Sequence, residues 1–198
     1  MNGNSMNKNN EIIIKSFSSS EKWKEWLMLN FATFPNGIWL RIYKKDSGKK
    51  TITYDEALDE ALCFGWIDSL KNKYDETSWI QKFTPRRSQS KWSKRNRERA
   101  DLLIKEKRMQ PSGLLEIETA KKDGRWDQAY DSPSQMEIPP DFLEKLVKDQ
   151  YAHEFFKTLN KTNVYAIAWR LQTAKTLKTR EKRMEALLQM MKNRQKLH

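Results

Sequence analysis

The stretch FTPRRSQSKWSKRN, Phe83 to Asn96, carries five basic residues, three serines, one tryptophan and no acid. Planar guanidinium groups clasp carboxylates and phosphates with paired hydrogen bonds. Serine hydroxyls add short donors, and an indole offers a flat wall. These residue types together point to recognition of an anion. A second element stands upstream, where Asp68 ends the apolar run FGWID. A carboxylate so placed must be paired or exposed. Arg86 or Arg87 can pair with it as a structural ion pair, or the same arginines can form a cup for an anionic ligand. The candidate ligand set is Trp66, Asp68, Arg86, Arg87, Ser90, Trp92, Ser93 and Asn96, with Pro85 stiffening the approach. The alternative occupant is nucleic acid, since bases stack on Trp and phosphates meet Arg and Lys. Trp79, Phe83 and Trp92 alternate with Lys82, Arg86, Arg87, Lys91, Lys94 and Arg95.

Other chemistry finds little support. Two histidines and one cysteine cannot build a Cys/His metal cluster, so no metal and no cofactor is expected. His153 has no local nucleophile motif beside it. GKKTIT at Gly48 lacks the glycine-rich lead of a phosphate loop. Cys63, in ALCFGW, reads as a small buried hydrophobe. Asp55, Glu56, Asp59 and Glu60 form a dense acidic quartet that reads as a solvated helix face. An enzyme built on carboxylates and arginines is the third alternative, and it would need a deep pocket holding an acid of displaced pKa.

The chain has 198 residues and a net charge of +12, unevenly placed. Residues 81–110 hold 11 basic and 3 acidic residues, and residues 161–198 hold 10 and 2, with an acidic block between. If the two blocks meet, they steer an anion. A lone cysteine suits a reducing compartment, and no apolar run is long enough to span a membrane. The expected setting is therefore cytoplasmic, without membrane insertion, and a homodimer is the commonest assembly for such a chain.

The elements that must position these groups follow from pattern. Residues 1–10 read as a disordered tail and residues 11–17 as a short strand. Ser18 and Glu21 have capping-box spacing before a helix carrying Trp23, Trp26 and Leu27. IWLRIYK alternates, with Ile38, Leu40 and Ile42 facing one way and Trp39, Arg41 and Tyr43 the other. Thr53 and Glu56 open a second helix, and its like-charge pairs Asp55–Asp59 and Glu56–Glu60 call for a cation from the basic block. Residues 73–83 read as a strand or hairpin, and Ser90 or Ser93 starts a helix to about Lys107. Another helix follows Pro111 and closes at Gly124. Four short amphipathic helices follow from Pro140 onward. The fold class is α+β, with a sheet-bearing region at 11–108 and a helical region at 109–198 sharing one core.

Four segments resemble the YdeI/OmpD-associated family, also described as bacteriocin-protection proteins: YDEALDEALCFGWIDS, FTPRRSQSKWSKRN, KRMQPSGLLEIETAKKDGRWDQAYD and AKTLKTREKRM. The resemblance implies a small α+β protein with a helical C-terminal part and a stress-associated role. It implies no substrate, cofactor or catalytic set. Ser69, Lys107 and Lys178 depart from that family's usual residues.

Overall fold

The computed structural model describes residues 12–131 and 136–198; the expected tail at 1–10 lies outside them. The chain forms two compact units. Unit 1 comprises residues up to Ser90 together with Asn96–Trp126, and unit 2 comprises Lys91–Arg95 with Asp127–His198.

Unit 1 is built on a four-stranded sheet in the order β1-β2-β4-β3, from β1 (Ile14–Ser16), β2 (Ile38–Tyr43), β3 (Trp66–Lys73) and β4 (Ser78–Pro85). β1 runs parallel to β2, while β2–β4 and β3–β4 are antiparallel. The alternation of IWLRIY appears directly, since Ile38, Leu40 and Ile42 are buried and Trp39, Arg41 and Tyr43 half-buried. Antiparallel partners share a face, so Phe83 joins Ile38 and Gln81 joins Leu40 on the packed side. The hairpin begins earlier than expected: β3 starts at Trp66, immediately after Gly65 reverses the chain with φ of +78°. Pro85 sits in the last position of β4, where a missing N–H costs least.

Two helices close the packed face, α1 (Ser20–Asn30) and α2 (Tyr54–Cys63). Thr53 and Glu56 form the expected capping box on α2. On α1 the cap is Ser19, one residue later than expected, and its side chain makes no cap bond. Trp23 lies at the centre of an aromatic cluster. Its ring is 5.2 Å from Phe17, 5.3 Å from Trp26, 6.3 Å from Trp66 and 5.8 Å from Phe83. Its indole N–H donates to the Ala57 carbonyl of α2 at 3.0 Å.

The acidic quartet of α2 is where the sequence expectation was half right. The required cations are present: Arg99 of α3 (Lys94–Lys105) reaches both Asp55 and Asp59 at 2.7 Å. Glu60, however, is not on a solvated face. It is only 6% exposed, because α4 (Pro111–Lys122) also packs beside α2, and it accepts from Arg108 at 2.7 Å. A buried carboxylate is tolerable only with such a partner.

Unit 2 is helical, with α5 (Pro140–Leu146), α6 (Gln150–Lys157), α7 (Lys161–Gln172) and α8 (Leu177–Lys192). Asp149 caps α6, Asn160 caps α7 and Thr176 caps α8, each accepting a backbone N–H. Their apolar stripes meet in a core of Phe142, Leu146, Ala152, Ile167, Leu171, Met184, Leu187 and Met191. Asn163 is fully buried, and its amide oxygen accepts the backbone N–H groups of Leu197 and His198.

Arg108→Ala leaves the Glu60 carboxylate buried without its cation and should cost about 3 kcal/mol. Urea denaturation checks this, and adding Glu60→Gln should recover part of the loss.

Candidate anion site

The eight residues singled out in the sequence fall into both units. Trp66, Asp68, Arg86, Arg87, Ser90 and Asn96 belong to unit 1, and Trp92 and Ser93 to unit 2. Trp66 is 1% exposed, and its indole N–H donates to Phe31 O at 3.1 Å. Asp68 accepts the Tyr54 hydroxyl at 2.8 Å. Arg86 is buried, and its backbone N–H bonds Gly65 O. Arg87 and Ser90 share one turn: Ser90 Oγ accepts the Arg87 N–H at 2.9 Å, and the Ser90 carbonyl accepts from Arg125. Trp92 is buried, and its carbonyl accepts the Tyr130 N–H. Ser93 bridges to Tyr130, and Asn96 is half-buried in α3. Trp66 and Ser90 thus have evident scaffold roles, while the exposed Arg87 guanidinium is placed to meet solvent.

The half-buried face of the sheet carries a second polar network. Arg41 lies 4.5 Å from the ring centres of both Tyr43 and Tyr74. Its Nε donates to Ser78 Oγ at 2.9 Å and its Nη2 to Asp75 at 2.5 Å. Asp75 also accepts from Thr77 and from Ser78 Oγ, and these bonds, with Ser78 the largest contributor, hold its pKa near 2 instead of 3.8. The guanidinium is neutralised by its own carboxylate, so this network locks the β3–β4 turn to β2 before any ligand is considered.

A third cluster, wholly within unit 2, is different in kind. The last turn of α7 leaves carbonyls facing outward, as every helix C-terminus does. Lys91 Nζ donates to Thr173 O at 3.1 Å, and Arg183 Nη1 donates to Arg170 O at 2.8 Å. Lys91 also lies 4.7 Å from the Trp169 ring centre, and Tyr130 meets Trp169 edge-on at 6.3 Å. Burial lowers the pKa of the Lys91 ammonium, and the positive charges of Arg183 and then Lys175 lower it further. The Tyr165 hydroxyl is shifted upward, first by burial and then by Tyr130. Neither Lys175 nor Arg183 forms a salt bridge among the described residues.

The two cations on Arg170 O and Thr173 O have an ordinary purpose, since positive charge is favourable at a helix C-terminus. The positive charge of Lys175, an exposed side chain, also acts on Lys91. In the sequence Lys91 stands only among interleaved cations, and nothing local singles out Trp169 or Arg183. The usable signal was the two-block charge map, because Lys91 comes from one basic block and Lys175 and Arg183 from the other.

Elsewhere the chemistry is sparse. Burial pushes the Cys63 thiol up to about 12, so it is not a nucleophile at neutral pH. No group of three or more His, Cys, Asp or Glu able to hold a metal occurs among the described residues. No described helix is long and apolar enough to cross a membrane.

A model described as a domain of unknown function, DUF8412, matches residues 15–116, and the chain belongs to that family. A second model, described as "Bacteriocin-protection, YdeI or OmpD-Associated", matches residues 135–194. The YdeI/OmpD resemblance therefore holds for the helical C-terminal stretch. Of the four segments that suggested it, only AKTLKTREKRM lies inside that match, and two lie inside the other family's range. No curated protein and no solved structure matches the chain.

The Asp75 network carries a pH signature. Its folded pKa lies below 3.8, so its stabilising contribution is complete above that value and is lost as pH falls toward 2. Ser78→Ala removes the largest contributor, and NMR titration of the Asp75 carboxyl should then show its midpoint moving upward toward 3.8.

Proposed function

We propose that this protein binds a small anion at the cationic cluster of unit 2, formed by Lys91, Lys175 and Arg183 beside Trp169. One observation carries the proposal: cations from the two basic blocks converge at the end of α7, where Lys91 donates to Thr173 O and Arg183 to Arg170 O beside the Trp169 ring. An anion seated there replaces repulsion with charge-assisted hydrogen bonds. The cluster is gathered around a single tryptophan, which suits one anionic group better than the length of a polynucleotide. The FTPRRSQSKW segment supplies Lys91 itself, with Trp92 and Ser93 following it in the same unit. The exposed Arg87 of unit 1 remains the alternative grip that the sequence suggested. The function is one of ligand binding, and we place it in the cytoplasmic, stress-associated setting that the sequence suggested; the family that matches the C-terminal stretch is described as "Bacteriocin-protection, YdeI or OmpD-Associated".

The test is calorimetric titration of the full chain with inorganic phosphate at low salt. A hydrogen bond to a charged group contributes about 1.5–3 kcal/mol. Lys175→Ala or Arg183→Ala should therefore weaken binding by about tenfold or more, while Arg87→Ala leaves it unchanged. Loss of binding in Arg87→Ala alone would move the site to unit 1, and no binding by the native chain would end the proposal.

A further inference from the structure

We infer that unit 2 carries a second binding site, between α5, α6 and α8, for a small zwitterion: an amino acid or short peptide whose ammonium and carboxylate flank an apolar side chain. This site shares no residue with the cluster at the end of α7 and does not rest on it. Two ion pairs set its frame. Arg180 of α8 clasps Asp141 of α5 at 2.5 and 2.8 Å. At the far end of α8, Lys192 meets Asp149, the cap of α6, at 3.3 Å. The chain from Asp141 to Asp149 therefore runs beside α8 in the same direction. A cavity of about 370 Å³ opens where α5, α6 and α8 meet, a volume that suits a small molecule. Its floor is apolar, made by the buried Leu146 and Ala152 and the half-buried Leu188.

The charges around this floor fall into two groups. Asp149 is answered within the fold, by Lys192 and by the Ala152 N–H at 3.0 Å. Lys145, Lys148 and Glu185 also line the cavity and are exposed, yet none of the three enters an ion pair or a side-chain hydrogen bond among the described residues. Lys145 and Glu185 have opposite charges, border the same space and stay beyond ion-pair distance of each other. Lys145 does act on the Asp141 carboxylate, but that carboxylate is already taken by Arg180. Glu144, Glu181 and Lys182, each within a turn of Lys148 or Glu185 along the chain, do not line the cavity.

A ligand of one sign satisfies only part of this set. A simple carboxylate reaches the lysines but meets Glu185 as a like charge, and a simple amine meets the reverse conflict. A zwitterion answers both. Its ammonium donates to Glu185 and its carboxylate accepts from Lys145 or Lys148, in charge-assisted hydrogen bonds. Its side chain then covers Leu146, Ala152 and Leu188, and the apolar surface removed from water favours a leucine-like group over none.

The experiment is an NMR titration of the full chain with leucine, leucyl-leucine, glycine, N-acetylleucine and leucinamide, at neutral pH and low ionic strength. Leucine or leucyl-leucine should shift the backbone amide signals of residues 145–152 and 185–192. N-acetylleucine lacks the ammonium and leucinamide the carboxylate, and each should bind at least about tenfold more weakly. Glycine, without a side chain, should also bind more weakly. Whichever of leucine and leucyl-leucine binds more tightly names the source, a free amino acid or a peptide, and either order supports the class. Glu185→Gln should erase the preference for leucine over N-acetylleucine, and Lys145→Ala with Lys148→Ala the preference over leucinamide. All three side chains are exposed, and circular dichroism checks that the variants fold. Equal binding of leucine and N-acetylleucine would overturn the zwitterion. Unmoved signals in α5, α6 and α8 with every probe would overturn the site.

Discussion

The indole of Trp23 is the piece on which unit 1 depends. Burying so large a ring is strongly favourable, but its N–H must find an acceptor once water is gone. It finds Ala57 O, which fixes the distance and rotation between α1 and α2. The same ring touches Phe83 of β4 and Trp66 of β3, so both helices are referenced to the sheet through one side chain. Everything that α2 carries, including its acidic face, inherits its position from that contact.

The molecule handles crowded charge in two opposite ways. On α2, four carboxylates within six residues would repel one another, and arginines from α3 and the turn after it resolve the conflict. The result is structural: Asp55, Asp59 and Glu60 meet arginines, and Glu56 is held by its capping bonds with Thr53. At the end of α7 the crowding is positive, and the carbonyls of Arg170 and Thr173 accept from Arg183 and Lys91. The Arg41 network belongs with the first kind, since Asp75 already balances it.

Much of the architecture could be read from residues alone. The alternation of IWLRIY, the Thr53–Glu56 box and the helix after Pro140 all depend on neighbours within a turn or two, and all three appear. The demand for a cation near Asp55 and Asp59 was also visible, because like charges at helical spacing require one. What could not be read was tertiary in origin. Trp66 starts a strand ahead of the expected hairpin at 73–83, because its partner Pro85 lies nineteen residues away in the chain. Glu60 looked solvated, since nothing local foretells that α4 covers it. The candidate site suffered in the same way: Trp66 and Ser90 have the right chemistry for binding but are engaged by Phe31, Arg87 and Arg125. Lys91 and Arg183 are ninety-two positions apart, and only the fold brings them to one helix end.

The chain leaves unit 1 after Ser90, contributes Lys91–Arg95 to unit 2, and returns at Asn96 before leaving again at Asp127. This interleaving bears on how the protein could have been assembled in evolution. A helical module copied or exchanged from Asp127 onward would arrive without the short backbone bridge between Ser93 and Tyr130, and without the lysine that rests on Trp169. The stretch matching the second family, 135–194, lacks both. A chain that shared only those helices would therefore lack both contacts that residues 91–95 and Tyr130 make at the end of α7.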